Sequence, residues 1–110
     1  MVQATLTDLR EMVLANQSFG PQDVERIYRV LGEDPSQFSV LRDAVHELAT
    51  AENPSPAAMT RLGVCQALIG KFRDAQETLK HGDGGALAQY YLGKVAFQLG
   101  DNEKALQYYE

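Results

Sequence analysis

The sequence predicts an all-α protein built from antiparallel helical hairpins, about seven helices in all. Three observations carry that expectation. Short proline and glycine clusters punctuate the chain, apolar residues recur every three or four positions between them, and the second half repeats itself at a fixed offset. No segment alternates apolar and polar residues as a half-buried strand would.

Taken in order, a first helix is expected from Thr5 or Thr7 to about Asn16, with Leu6, Leu9, Met12 and Val13 on one face. Gly20-Pro21 opens a second helix, with proline at the first helical position, where its missing N–H costs nothing. Val24, Ile27, Tyr28 and Leu31 form its stripe, and Gly32 is expected to end it. Asp34 is read as the cap of a third helix, Pro35 as its first residue, and Phe38, Leu41, Val45 and Leu48 as its apolar face. Asn53-Pro54 is the expected stop. Ser55-Pro56 repeats the cap-then-proline signal and starts a fourth helix, to about Ile69. Gly70 turns the chain into a fifth, residues 72–80, which the glycines at 82, 84 and 85 break. A sixth helix is expected over residues 86–99, and after Gly100-Asp101 a seventh runs from Asn102 onward.

At 110 residues the chain has the length of one domain. The organisation predicted is a single helical repeat domain over 1–110. Within it, residues 1–52 form N-terminal capping or degenerate hairpin helices, and 56–83 and 86–110 form two repeat units. The net charge of -5 is unevenly placed: up to Glu52 four arginines face nine acids, and beyond it six bases balance six acids. An acidic surface repels phosphate backbones, which speaks against nucleic-acid binding. No apolar run approaches the length of a membrane span, and residues 1–7 lack the pattern of a secretion signal, so no membrane partner is expected. A single cysteine fits a reducing compartment, and the cytoplasm is the expected location.

The internal repeat is the most informative feature. Leu62-Gly63 is matched by Leu92-Gly93, Gly70 by Gly100, Ala75 by Ala105, and Leu79 by Tyr109, every pair 30 residues apart. Gly63 and Gly93 fall mid-helix, where glycine costs about 1 kcal/mol relative to alanine. That cost is tolerated where a second helix approaches closely, with Ala75 and Ala105 expected to supply the complementary small surface. Gly70 and Gly100 occupy tight turns where a positive φ is expected.

This pattern resembles the tetratricopeptide repeat. The second unit shows it best: Tyr91-Leu92-Gly93, Leu99-Gly100-Asp101, then Ala105 and Tyr109. The first carries Met59, Leu62-Gly63, Gly70, Phe72, Ala75 and Leu79. It departs from the family in having Gln66 and Ala96 for the usual tyrosine, Gln89 at a tryptophan position, and a period of 30 instead of 34. The resemblance implies a short right-handed solenoid whose first helices line a concave groove for a partner peptide or helix. By position that groove comprises Thr60, Val64, Ala67 and Leu68, followed by Leu87, Tyr90, Lys94, Phe97 and Gln98. A clamp for a C-terminal carboxylate would need lysine and asparagine where Thr60 and Val64 stand, so none is expected.

Nothing in the chain points to catalysis, a metal or a cofactor. Cys65 has no nearby histidine and reads as a small packing residue beside Gly63. His81 follows a helix end, where the dipole favours a cation, and His46 is isolated. Gly82-Asp83-Gly84-Gly85 follows a helix and lacks the lysine of a phosphate loop. The expected role is protein–protein interaction, with a dedicated chaperone or assembly factor for one client as the alternative. The apolar Leu106, Tyr108 and Tyr109 suggest either a fragment of a longer array or a homo-oligomer joined through the C-terminal helix.

Overall fold

A computed structural model describes residues 13–14 and 19–100 of the chain. Five helices and no strand occur among the described residues: α1 (Pro21–Glu33), α2 (Gln37–Ala49), α3 (Pro56–Leu68), α4 (Phe72–Lys80) and α5 (Ala86–Gln98). The all-helical expectation holds for them. Of the seven helices expected, the first, apart from the helical Val13 and Leu14, and the seventh lie outside the described residues. The chain divides into two compact units, residues 1–50 and 51–110.

In the first unit, Pro21 takes the first helical position of α1, and the Asp23 carboxylate accepts the Gly20 N–H at 2.9 Å. This ties down a donor that the helix start would otherwise leave open. Two expected boundaries shift. Gly32 does not end α1; it is helical, and the chain leaves the helix at Asp34. α2 begins at Gln37, two residues later than expected, because Pro35 and Ser36 form a tight turn. Asp34 still caps that turn: its Oδ1 accepts Ser36 Oγ at 2.6 Å and the Ser36 N–H at 3.2 Å. Those bonds, the serine hydroxyl foremost, hold the Asp34 carboxyl below its usual pKa. α2 ends at Ala49, ahead of Asn53-Pro54.

The core of this unit contains Val13, Val24, Ile27, Leu41, Ala44 and Val45. Leu41 and Val45 of the expected α2 stripe are buried and Leu48 is partly so, but at its start Gln37 is buried and Phe38 is 40% exposed. Gln37 reaches Asp34 through Nε2, but its Oε1 is buried without a hydrogen-bond partner. Tyr28, also expected on the apolar face, is exposed.

The second unit follows the sequence more closely. Ser55 caps α3, its hydroxyl accepting the Ala58 N–H at 3.1 Å, with Pro56 at the first helical position. At the far end Gly70 N–H bonds to Ala67 O at 3.0 Å and Lys71 N–H to Gln66 O at 2.9 Å. This paired closure needs the left-handed φ of +84° that Gly70 adopts. The period of 30 is written into the backbone. Ile69 N–H bonds to Cys65 O as Leu99 N–H does to Val95 O, and Gly70 to Ala67 as Gly100 to Phe97. Met59 N–H bonds to Ser55 O as Gln89 N–H does to Gly85 O, and Gly100 repeats the φ of +84°.

α4 folds back along α3. The turn joins them at residues 69–71, while Thr60, near the start of α3, meets Gly82 and Asp83 beyond the end of α4. α5 returns antiparallel to α4, so that Leu99 lies beside residues 70–74, and α3 and α5 run side by side in one direction. Leu62, Val64, Cys65, Ala75, Leu79, Ala88, Tyr91, Leu92, Val95 and Ala96 are buried in this unit. A Cβ added to Gly63 would lie 2.5 Å from Leu79 Cγ, so Gly63 is what lets α4 approach α3. The partner in that crossing is Leu79, not Ala75 as expected from size matching, although Ala75 is buried too.

Candidate functional site

The two parallel helices α3 and α5 carry the residues expected to meet a partner, and they present them differently. Leu62, Gly63, Cys65 and Gln66 of α3 are buried, as are their counterparts Leu92, Gly93, Val95 and Ala96 of α5. This shared face is the packing side. At the expected groove positions the symmetry fails. Thr60 and Val64 are buried, whereas their counterparts Tyr90 and Lys94 are half exposed and partly buried. The surface set therefore loses Thr60 and Val64, which offer no accessible side chain, and Leu68 is only partly accessible.

Thr60 is occupied within the chain. Its hydroxyl donates to Asp83 Oδ1 at 3.1 Å and accepts the Asp83 N–H at 3.0 Å, while Gly85 N–H donates to the same Oδ1 at 2.9 Å. Gly82 lets the loop come this close, since a Cβ there would collide with Thr60 Oγ1 and lie 3.1 Å from Leu79 O. Sequence reasoning missed this knot. Glycines around Asp83 signal a turn, but nothing local points to a threonine 23 residues earlier.

On α5, Leu87, Tyr90, Lys94 and Phe97 recur at helical spacing and share one face, with Gln98 exposed beside them. Tyr90 is 50% exposed and Phe97 60% exposed. The Tyr90 and Tyr91 rings meet edge to face with centroids 5.4 Å apart. The Lys94 ammonium lies 5.9 Å from the Tyr90 centroid and 5.5 Å from that of Tyr91. That places a cation against two aromatic faces, a contact worth about 0.5–1 kcal/mol at an exposed site. Lys94 is the sole charge on α5 and Arg61 the sole charge on α3, so neither helix has an acid.

Leu62, Gly63, Ala75, Leu79, Leu92 and Gly93 are buried; Ala105 and Tyr109 lie outside the described residues. So do Leu106 and Tyr108, and with them the face expected to join two copies. Cys65 is buried, and desolvation, opposed by the nearby Arg61, pushes its thiol up to about 12. His46 and His81 are exposed. Among the described residues no three His, Cys, Asp or Glu side chains are grouped to hold a metal ion. No described helix is long and apolar enough to cross a membrane. A shallow open depression of about 370 Å³ lies between residues 70–74 and Leu99, on the side of α4's first turn.

No protein-family model matches the chain, and no curated protein or solved structure matches it either.

Proposed function

We propose that the chain is a protein-interaction module of tetratricopeptide-like organisation, a short right-handed solenoid of helical hairpins acting in the cytoplasm. It receives a partner's peptide or helix on the open face of α5. The observation that carries this reading is the pair of exposed aromatic rings, Tyr90 and Phe97, flanking Lys94 on one helical face. Large apolar side chains cost solubility when left in water, and aromatic residues beside a cation are the usual anchors of binding energy.

The chemistry of that face selects the partner. Tyr90 and Phe97 are already half covered, so covering the rest contributes about 1–2 kcal/mol each before association costs, which is too little alone for stable binding. A partner that also brings an acid to Lys94 gains a charge-assisted hydrogen bond and meets no repulsion from α3 or α5, which carry no acids. The fitting segment therefore presents apolar side chains one helical turn or more apart with a carboxylate between them. The overall charge of -5 argues against nucleic acid.

Peptide display against the full chain tests this. Selected peptides should combine apolar anchors with Asp or Glu. They should weaken at least roughly tenfold with Phe97→Ala, and with Lys94→Glu, while far-UV circular dichroism is unchanged. Equal binding by wild type and both variants would dispose of this face as the site. In capture from cells, one stoichiometric client lost with Tyr90→Ala plus Lys94→Glu would favour the dedicated chaperone; several partners lost together would favour an adaptor.

A further inference from the structure

The loop between α4 and α5 contains Asp83-Gly84, a dipeptide with its own chemistry. The Gly84 amide has no side chain to shield it, and it can attack the neighbouring Asp83 carboxyl to close a five-membered ring. The Gly84 N–Cγ bond forms, and the carboxyl oxygen leaves as water with the amide proton and the proton of the acid. Water then opens the succinimide. Attack at Cγ restores aspartate, and attack at the Asp83 main-chain carbonyl gives isoaspartate, with the chain routed through Cγ. One water leaves and one returns, so the isomer has the same mass and no co-reactant is needed.

Ring closure requires Cγ to swing onto the Gly84 nitrogen by rotation about both Cα bonds of Asp83. Two hydrogen bonds hold the carboxylate against that rotation and a third anchors the Asp83 backbone, and two of the three run to one hydroxyl. Thr60 Oγ1 accepts the Asp83 N–H at 3.0 Å and donates to Asp83 Oδ1 at 3.1 Å, and Gly85 N–H holds the same oxygen at 2.9 Å. Asp83 and Gly84 are themselves exposed to water, whereas Thr60 is only 5% exposed. The reactive pair thus sits at the surface and its latch sits inside. We propose that Asp83-Gly84 is a spontaneous isoaspartate-forming site held shut by the buried Thr60 hydroxyl, so that loosening of the α3–α4 hairpin converts a reversible opening into a covalent mark.

The isomer has one more main-chain carbon and a shorter side-chain arm, so Thr60 cannot bond both groups again. Its buried hydroxyl loses the carboxylate it donated to, and the return of the chain from α4 to α5 is lengthened. The mark therefore accumulates on molecules that have opened and keeps their loop from re-forming. This inference rests on the loop geometry alone and stands whether or not α5 binds a partner.

The experiment incubates the full chain in mildly acidic buffer below its unfolding midpoint. Isoaspartate at residue 83 is read by enzymatic methyl-acceptance and by fragmentation of the 81–94 peptide. Wild type and Thr60→Ser, which keeps the hydroxyl, should isomerise slowly. Thr60→Val, of similar shape but unable to bond Asp83, should react about tenfold faster and approach wild type unfolded in urea, the factor expected when a latch of two hydrogen bonds opens. Gly82→Ala, whose methyl group falls on Thr60 Oγ1, should do the same by a second route. Folded wild type reacting as fast as the urea-unfolded chain would overturn the proposal. So would Thr60→Val and Gly82→Ala variants that stay folded and react no faster than wild type, or an unfolded chain that forms no isoaspartate at position 83.

Discussion

Replacing Gly63 by alanine should destabilise the protein, although the same change at an ordinary helical position would stabilise it. The helix gains about 1 kcal/mol from losing a mid-helix glycine. Against this, the new Cβ would stand 2.5 Å from Leu79 Cγ and 2.6 Å from Leu79 Cδ2, about 1 Å inside a normal carbon–carbon contact. Leu79 is 2% exposed and its backbone nitrogen would lie only 3.3 Å from the Cβ. The leucine therefore cannot swing into solvent, and α4 cannot stay in place. Overpacking of this kind costs about 1–3 kcal/mol, for a net loss of about 0–2 kcal/mol. The decisive measurement is the double-mutant cycle. Leu79→Ala alone should cost about 2–5 kcal/mol, but in that background the side-chain clash is gone and only the approach to the residue-79 nitrogen remains, so Gly63→Ala should be neutral or add up to about 1 kcal/mol of stability. Urea titrations followed by far-UV circular dichroism report both. If Gly63→Ala stabilises wild type by about 1 kcal/mol and adds to Leu79→Ala without coupling, the close crossing does not exist.

Gly32 is the control: it is helical, outside the left-handed region, and a Cβ there would meet nothing within 4 Å, so Gly32→Ala should raise stability by about 0.4–1 kcal/mol in the same titration. Cys65 should resist thiol reagents in the native state and react on unfolding, as a stopped-flow assay with and without urea would record. Burial pushes the thiol up from 9.0 to about 12, so between those values the unfolded chain has lost the thiol proton and the folded chain keeps it. Stability therefore falls as pH rises through that window. Cys65→Ala should show a shallower alkaline decline than wild type, and parallel declines would contradict the burial of the thiol.

What the sequence determined by itself is what neighbours in the chain decide. Ser55-Pro56 starts α3, because the serine hydroxyl reaches an N–H three residues on and proline suits the first turn. Gly70 and Gly100 end their helices because the closing hydrogen bonds need a φ that glycine alone adopts cheaply. The 30-residue period was visible for the same reason: it is a repetition of such local signals. Where neighbours compete, the local reading slipped by a residue or two. Gly32 continued as helix, Pro35 and Ser36 formed a turn ahead of α2, and at the start of α2 Gln37 is buried in place of Phe38. The candidate site was legible only as a list of positions sharing a helical face. Which of them meet solvent was a tertiary decision. Thr60 and Tyr90 occupy equivalent places, yet one is buried under a loop that Gly82 and Asp83 bring to it across 23 residues, and the other is half exposed. Likewise Gly63 announced a close approach, but only the packing of α4 showed Leu79 to be the side chain that fills it. Helix ends are settled by hydrogen bonds spanning three to five residues; exposure depends on which distant segment comes to lie above a face, and no local pattern encodes that.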